Sequence, residues 1–103
     1  MDTIRPTAYL VEQSETFAEW HAGLRDLQAR IAIARRIERM AAGNLGDAKS
    51  VGGGVSELRV DAGPGYRVYF TRRRGVVVIL LCGGDKHSQT ADIRRARRLA
   101  AER

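Results

Sequence analysis

Seven consecutive apolar residues, Val76 to Cys82, constrain the fold of this chain more than any other feature. A membrane-spanning helix needs about 20 such residues, so this run is far too short to cross a bilayer. It shows neither strand-like alternation nor a helical period. It reads as a central β-strand covered on both faces, ended by Gly83-Gly84. The segments before it supply its neighbours. Val55 to Asp61 alternates, with Leu58 and Val60 on one face and Glu57 and Arg59 on the other. Tyr66 to Thr71 alternates again, with Tyr66, Val68 and Phe70 set against Arg67, Tyr69 and Thr71. Gly63-Pro64-Gly65 and Arg72-Arg73-Arg74-Gly75 read as the turns of an antiparallel meander.

Helical signals lie on either side. Residues 1–7 read as a frayed lead-in and Tyr9-Leu10-Val11 as a short strand. Ser14 is a candidate N-cap, followed by Glu15 in the first turn and by Phe17, Trp20 and Leu24 on one helical face. A longer helix is predicted from about Asp26 to Ala42, stopped by Gly43. Its expected core line is Leu27, Ile31 and Ala34, widened by Ile33, Ile37 and Ala41, with Arg35, Arg36 and Arg39 opposite. Asn44 to Gly54 holds five glycines or asparagines in eleven positions and reads as a loop. After Cys82, Ser88 or Thr90 caps a final helix to about Glu102, with Ile93, Ala96 and Ala100 inward and Arg94, Arg95, Arg97 and Arg98 outward. The predicted order is β-α-α-β-β-β-α, an α+β fold with two helices on one face of a small sheet. The other face carries Arg59, Arg67 and Tyr69 from adjacent strands, an unusual place for polar groups unless something binds there.

Length and charge narrow the function. With 103 residues the chain has room for one domain, expected to span 1–103. A single cysteine, Cys82, excludes an internal disulfide and suits a reducing compartment; it reads as a buried core residue. The first seven residues lack the apolar stretch of a signal peptide, so a cytoplasmic location without membrane contact is expected. Eighteen basic residues face twelve acidic ones, a net charge of +6, and sixteen of the eighteen are arginine. Arginine's planar fork suits phosphates and base edges, so a polyanionic or acidic partner is expected. Gly52-Gly53-Gly54 lacks the Lys-Ser/Thr of a phosphate-binding loop. One cysteine and two distant histidines give no metal-ligand spacing, so neither metal nor cofactor is expected.

An ordered set of short motifs adds a resemblance. Phe17-Ala18-Glu19-Trp20, Leu24-Arg25-Asp26, Gly43-Asn44-Leu45-Gly46-Asp47 and Val55-Ser56-Glu57-Leu58-Arg59 come first. Gly65-Tyr66-Arg67-Val68-Tyr69-Phe70 and Leu81-Cys82-Gly83-Gly84-Asp85-Lys86 follow. Together, over about residues 9 to 102, they resemble the HigB-like "addiction module killer" branch of the RelE/ParE toxin superfamily. The resemblance implies a compact β-α-α-β-β-β core with a variable C-terminal helix. It implies a cognate antitoxin, in this branch usually one with a helix-turn-helix DNA-binding domain, so that operator DNA is met only through the complex. RelE-like members cut mRNA in the ribosomal A site, whereas ParE-like members share the fold and poison DNA gyrase.

The candidate site follows from chemistry and resemblance together. Metal-free RNA cleavage needs a proton taken from the 2′-hydroxyl, charge stabilisation on the phosphorane and a proton for the leaving 5′-oxygen. RelE-like enzymes place an arginine against the scissile phosphate where this chain has Arg67, and Arg59 matches a basic residue on the preceding strand. By parity both face the same way and can clamp one phosphate; the structural alternative is a cross-strand ion pair with Glu57 or Asp61. Glu57 is the only carboxylate well placed to act as a base, or else it balances charge. Lys86 can neutralise the leaving oxygen. His87 lies where some relatives keep a histidine with a neighbouring Tyr or Asp, but no Tyr follows it here; it is a general acid or base, or a solvated loop residue. Tyr69 stacks on a base or packs in the sheet, and Arg72 and Arg73 are read as further RNA contacts. His21 reads as an ordinary helix-surface residue. Three functions stay open: a ribosome-dependent mRNA endonuclease, a non-enzymatic gyrase inhibitor, and a binding module without toxicity.

Overall fold

The computed structural model describes residues 8–103, so the lead-in expected over residues 1–7 lies outside the described residues. The chain runs β1 (Leu10–Gln13), α1 (Glu15–Ala22), α2 (Leu27–Ala41), β2 (Ala48–Gly52), β3 (Val55–Val60), β4 (Tyr66–Arg73), β5 (Val77–Asp85) and α3 (Gln89–Ala101). The class is α+β, and the sheet order is β1-β5-β4-β3-β2. Strands β2 to β5 form an antiparallel meander, and β1 returns to pair with β5 in parallel. No helix of the described residues is long and apolar enough to cross a membrane.

The starts of α1 and α2 are capped as their sequences dictate, whereas Ser88, at the N-cap position of α3, makes no side-chain cap hydrogen bond. The Ser14 side chain accepts from Phe17 N at 3.0 Å and that of Asp26 from Ala29 N at 3.1 Å. Ser14 also donates to the carbonyl of Leu81 at 2.6 Å, which ties the head of α1 to β5.

The apolar run at β5 is the middle of the core, as expected, and helices cover both its faces. Val78 and Leu80 meet Phe17, Ile33, Met40, Leu58, Val68 and Phe70 beneath α1 and α2. Ile79, Leu81 and Cys82 meet Val55, Tyr69, Ala96 and Ala100 beneath α3. Strict alternation would send Cys82 the other way. A register shift opposite Tyr69 and Phe70 inserts one residue into β5, so Leu81 and Cys82 both join the α3 side.

Four expectations need correction. The loop read over Asn44 to Gly54 contains β2, which the hairpin glycines Gly52, Gly53 and Gly54 (all at positive φ) connect to β3. The glycine density marks that tight turn, not the whole segment. Gly83 and Gly84 do not end β5, which continues to Asp85. They are close approaches: a Cβ at Gly83 would overlap the Trp20 ring, and one at Gly84 would overlap the Asp92 carboxylate. Strand β4 continues through Arg72 and Arg73, which the sequence assigned to a turn. Finally, α2 buries Ala29, Ile33 and Met40, whereas Leu27 and Ile31, placed in the core line from the sequence, are exposed. This helix is apolar around more than half its circumference, so periodicity alone does not choose the buried side.

Candidate functional site

One row of the sheet gathers the charge. Lys49 on β2 pairs with Glu57 on β3, Glu57 with Tyr69 on β4, and Tyr69 with Cys82 on β5. In the next row of the same face Arg59 stands opposite Arg67, and Arg67 opposite Gly84. The sequence expectation that Glu57, Arg59, Arg67 and Tyr69 share a face therefore holds in this fold. That face is not open, however. Helix α3 lies across it, and Glu57 and Tyr69 are fully buried.

Glu57 is the hub. Lys49 Nζ is 4.0 Å from its Oε1, Arg59 Nε 3.8 Å from Oε1 and Arg67 Nε 3.7 Å from Oε2. Gln89, in the first turn of α3, donates to Oε2 at 2.7 Å. These three are all the ion pairs among the described residues. The Arg67 side chain is only 12% exposed, whereas those of Arg59 and Lys49 are 61% and 58% exposed. One carboxylate thus holds three cations at the margin of α3, two of them reaching solvent. The ion-pair alternative weighed for Arg59 and Arg67 is present, and it also brings both guanidinium groups to one place.

Among the described residues, three buried side-chain atoms have no hydrogen-bond partner: Glu57 Oε1, Arg67 Nε and the Tyr69 hydroxyl. Each such atom costs about 1–3 kcal/mol, and here they fall in one cluster. Burial, then the adjacent charge of Glu57, pushes the Tyr69 hydroxyl well above the ordinary phenol range. Tyr69 is a buried neutral group, and under α3 its ring offers no face on which a base can stack. Burial likewise pushes the Cys82 thiol up to about 11, helped by the Asp92 carboxylate.

The other expected site residues divide by position. Lys86 and His87 lie in the β5–α3 turn, exposed, at the Arg67 end of the sheet. Asp85 shapes that turn, its Oδ1 accepting from His87 N at 2.8 Å and Ser88 N at 3.2 Å. The side chains of Lys86 and His87 make no hydrogen bond or ion pair among the described residues. Arg72 and Arg73 are at the far end of β4, five and six residues, or roughly 17–20 Å, from Arg67. Arg72 stacks over the Tyr9 ring at 5.2 Å, and Arg73 donates to the carbonyl of Ala100 at 2.8 Å, pinning the end of α3. The structure does not bring those two to the Glu57 cluster. His21, expected as a surface residue, is half-buried, with Nε2 3.0 Å from the Arg30 carbonyl between α1 and α2.

Sequence reasoning missed Lys49 and Gln89. Lys49 was hidden by the glycine-rich segment, and Ala48-Lys49-Ser50-Val51 carries no alternation that would mark it as a strand. Nothing in the sequence marks Gln89, which reaches Glu57 only because α3 folds back over the sheet.

Comparison with known proteins gives the chain a family. The family described as "Phage derived protein Gp49-like (DUF891)" matches residues 24–103, which include every residue of the Glu57 cluster. The chain belongs to the Gp49-like family. An uncharacterized protein of Haemophilus influenzae strain Rd is 50% identical over 92 residues, covering 89% of this chain and 93% of its own length. The Gp49-like chain also shares a fold with E. coli toxin RelE, solved as an arginine-to-alanine mutant in the free state. The TM-score is 0.67 at 16% identity, covering 87% of this chain and 94% of that one. At that identity the likeness is one of fold.

Proposed function

We infer that this chain is the toxin of a toxin–antitoxin pair, a single cytoplasmic domain that cuts messenger RNA on the ribosome. The observation that carries the reading is the buried Glu57 carboxylate with Lys49, Arg59 and Arg67 gathered around it. The RelE-like fold and the HigB-like motif order agree with it. A carboxylate that is fully buried and surrounded by cations has no surface for a substrate hydroxyl, so Glu57 is a positioning residue, not the base. Its work is to hold guanidinium groups where they meet a phosphate.

In the reaction, the RNA 2′-oxygen attacks the adjacent phosphorus and the bond to the 5′-oxygen breaks. The products are a 2′,3′-cyclic phosphate and a 5′-hydroxyl end. Arg59 and Arg67 donate to the non-bridging oxygens as charge develops, with Lys49 adding a third positive charge. Lys86 supplies the proton to the leaving 5′-oxygen and His87 accepts that of the 2′-hydroxyl. Both belong to the turn beside Gly84, the cross-strand neighbour of Arg67. The partner is a cognate antitoxin with a helix-turn-helix domain, through which the pair meets operator DNA.

One observation favours the second reading, a ParE-like gyrase inhibitor: no acid–base pair is in contact within the cluster, since Glu57 and Tyr69 are closed off. Induced expression separates the two. A translation poison stops amino-acid incorporation first and leaves cleaved mRNA ends, whereas a gyrase poison produces filaments and a DNA-damage response. Normal growth with abundant soluble protein overturns both.

A further inference from the structure

Where α3 ends, at Ala101, the sheet beneath it is left partly open: Val77 is half-buried, and its neighbour Leu10 on β1 is exposed. Glu12, Val77 and Ile79 line a concavity there with Arg73, Arg74 and Arg103. Its volume is about 380 Å³, within the size range of small-molecule sites, roughly 300–1,000 Å³. Arg73 is six residues along β4 from Arg67, roughly 20 Å, so the Glu57 cluster takes no part in it. Three guanidinium groups and one carboxylate thus face one space. None of the four is ion-paired among the described residues, whose three ion pairs all belong to Glu57. Opposite charges that share a concavity without touching leave room for a molecule between them. Arg73 is held from behind, Nη1 donating to Thr71 Oγ1 at 3.0 Å and Nη2 to the Ala100 carbonyl at 2.8 Å, with N–H groups to spare. Arg74, at φ 55°, is the one non-glycine residue in the left-handed region among those described. Asparagine or glycine fits such a position better, so the turn carries an arginine here against its backbone preference.

We propose that this concavity is a binding site for a guanine nucleotide, apart from the Glu57 cluster and independent of the toxin reading. The arginines supply planar forks for the phosphate. Val77 and Ile79, side by side on β5, form an apolar floor on which a flat ring lies. Glu12, opposite Ile79 on β1, accepts from the edge of the base. Guanine presents two adjacent N–H donors on its Watson–Crick edge, and a carboxylate accepts both. Adenine sets a ring acceptor beside its one amino group, and that acceptor is repelled by a carboxylate. Glu12 and Arg73 are separated by two strand spacings, roughly 10 Å, a span comparable to the reach of a mononucleotide from base edge to 5′-phosphate. The same chemistry is offered by a free nucleotide and by the 5′-phosphorylated end of an RNA chain.

The test is isothermal titration calorimetry on the full chain at physiological salt, with guanosine 5′-monophosphate, adenosine 5′-monophosphate and guanosine as probes. Guanosine 5′-monophosphate should bind on the order of tenfold tighter than either of the others. Glu12→Gln should remove the preference for guanine over adenine and keep the dependence on phosphate. Arg74→Asn should weaken binding about tenfold while melting no lower than wild type, because asparagine suits the left-handed turn position. Arg59→Gln, in the other cluster, should leave the affinity unchanged. Equal binding of guanosine and its monophosphate, unchanged affinity in Arg74→Asn, or a loss confined to Arg59→Gln overturns the proposal; the last would place the nucleotide at Glu57 instead. Equal binding of the two monophosphates by the wild type overturns the role given to Glu12 and with it the guanine assignment. A 5′-phosphorylated RNA trinucleotide beginning with guanosine separates the two sources. Tighter binding than the mononucleotide assigns the site to an RNA end, and equal or weaker binding assigns it to the free nucleotide; either result upholds the site.

Discussion

Arg59 and Arg67 stand directly opposite each other on neighbouring antiparallel strands, and each guanidinium Nε lies within 4 Å of the Glu57 carboxylate, at 3.8 and 3.7 Å. Like charges directly opposite across a sheet repel. The buried carboxylate between them offsets that repulsion and fixes where both forks point. The cluster is therefore a charge arrangement whose stability and, on the proposed reading, function depend on the same residue.

Removing that carboxylate should cost both. Breaking a buried ion pair from one side typically costs about 3–5 kcal/mol, because the remaining charges are left uncompensated. Glu57→Gln keeps the shape and the contact with Gln89 but not the charge. It should lower stability by about that amount in urea unfolding, and the effect should shrink when Arg67 is also replaced by Met. A near wild-type urea midpoint for Glu57→Gln would mean that the three cations do not need their hub.

Arg67 separates catalysis from folding less cleanly than its strand position suggests. From the sequence it faces an open surface and is dispensable for packing. In the fold it is 12% exposed and ion-paired to a buried group. Arg67→Ala should therefore lose about 1–3 kcal/mol of stability and, on the proposed reading, about 10²–10³ in mRNA cleavage. Arg67→Lys should restore much of the first and little of the second, since a point charge does not reproduce the fork. Thermal melting and cleavage on translating ribosomes measure the two. Full toxicity in Arg67→Ala would remove this cluster as the nuclease site.

Much of the fold is legible in the sequence because its signals are local. Ser14 caps α1, the alternation of Val55–Val60 and Tyr66–Thr71 is visible, and the apolar run of β5 announces a doubly covered strand. The shared face of Glu57, Arg59 and Arg67 follows from parity alone. What the sequence hides depends on distant packing. Gly83 and Gly84 look like a stop signal, yet Trp20 and Asp92 occupy the space that their missing side chains leave. Tyr69 looks half-exposed until α3 is known to close over it. Leu27 and Ile31 look like core because a helix apolar on two sides carries no mark of which side faces the sheet.

The raised thiol of Cys82 predicts a specific alkaline weakness. The cysteine's folded pKa of about 11 stands above its ordinary value of 9.0. A group raised in the folded state contributes stability that is complete below its unfolded pKa and is lost as pH rises through the folded one. Stability should therefore fall between about pH 9 and 11. Tyr69, also raised, should extend the fall to higher pH. Cys82→Ala should be somewhat less stable at neutral pH, from the small cavity, but should show a shallower decline over that window. Urea midpoints at about pH 7, 9 and 10.5 test this, and parallel curves for the two proteins would exclude Cys82 as a cause.

The contact between Gly83 and Trp20 gives the last prediction, and it concerns the fold alone. Gly83 lies in β5 with no positive φ, so its backbone would accept any residue. What excludes a side chain is the Trp20 ring, which lies against the glycine and also packs on Phe17, at 5.7 Å between centroids, and Tyr66, at 6.2 Å. A single added methyl must push the indole away from both neighbours. Overpacking of this kind costs about 1–3 kcal/mol. Gly83→Ala should lower stability by that amount while changing no charge near Glu57. In Trp20→Leu, where the ring is gone, the same substitution should cost little, so the double-mutant cycle should show coupling of about 1 kcal/mol or more. Additive effects of the two substitutions would show that the indole does not hold the position against β5 that this structure gives it.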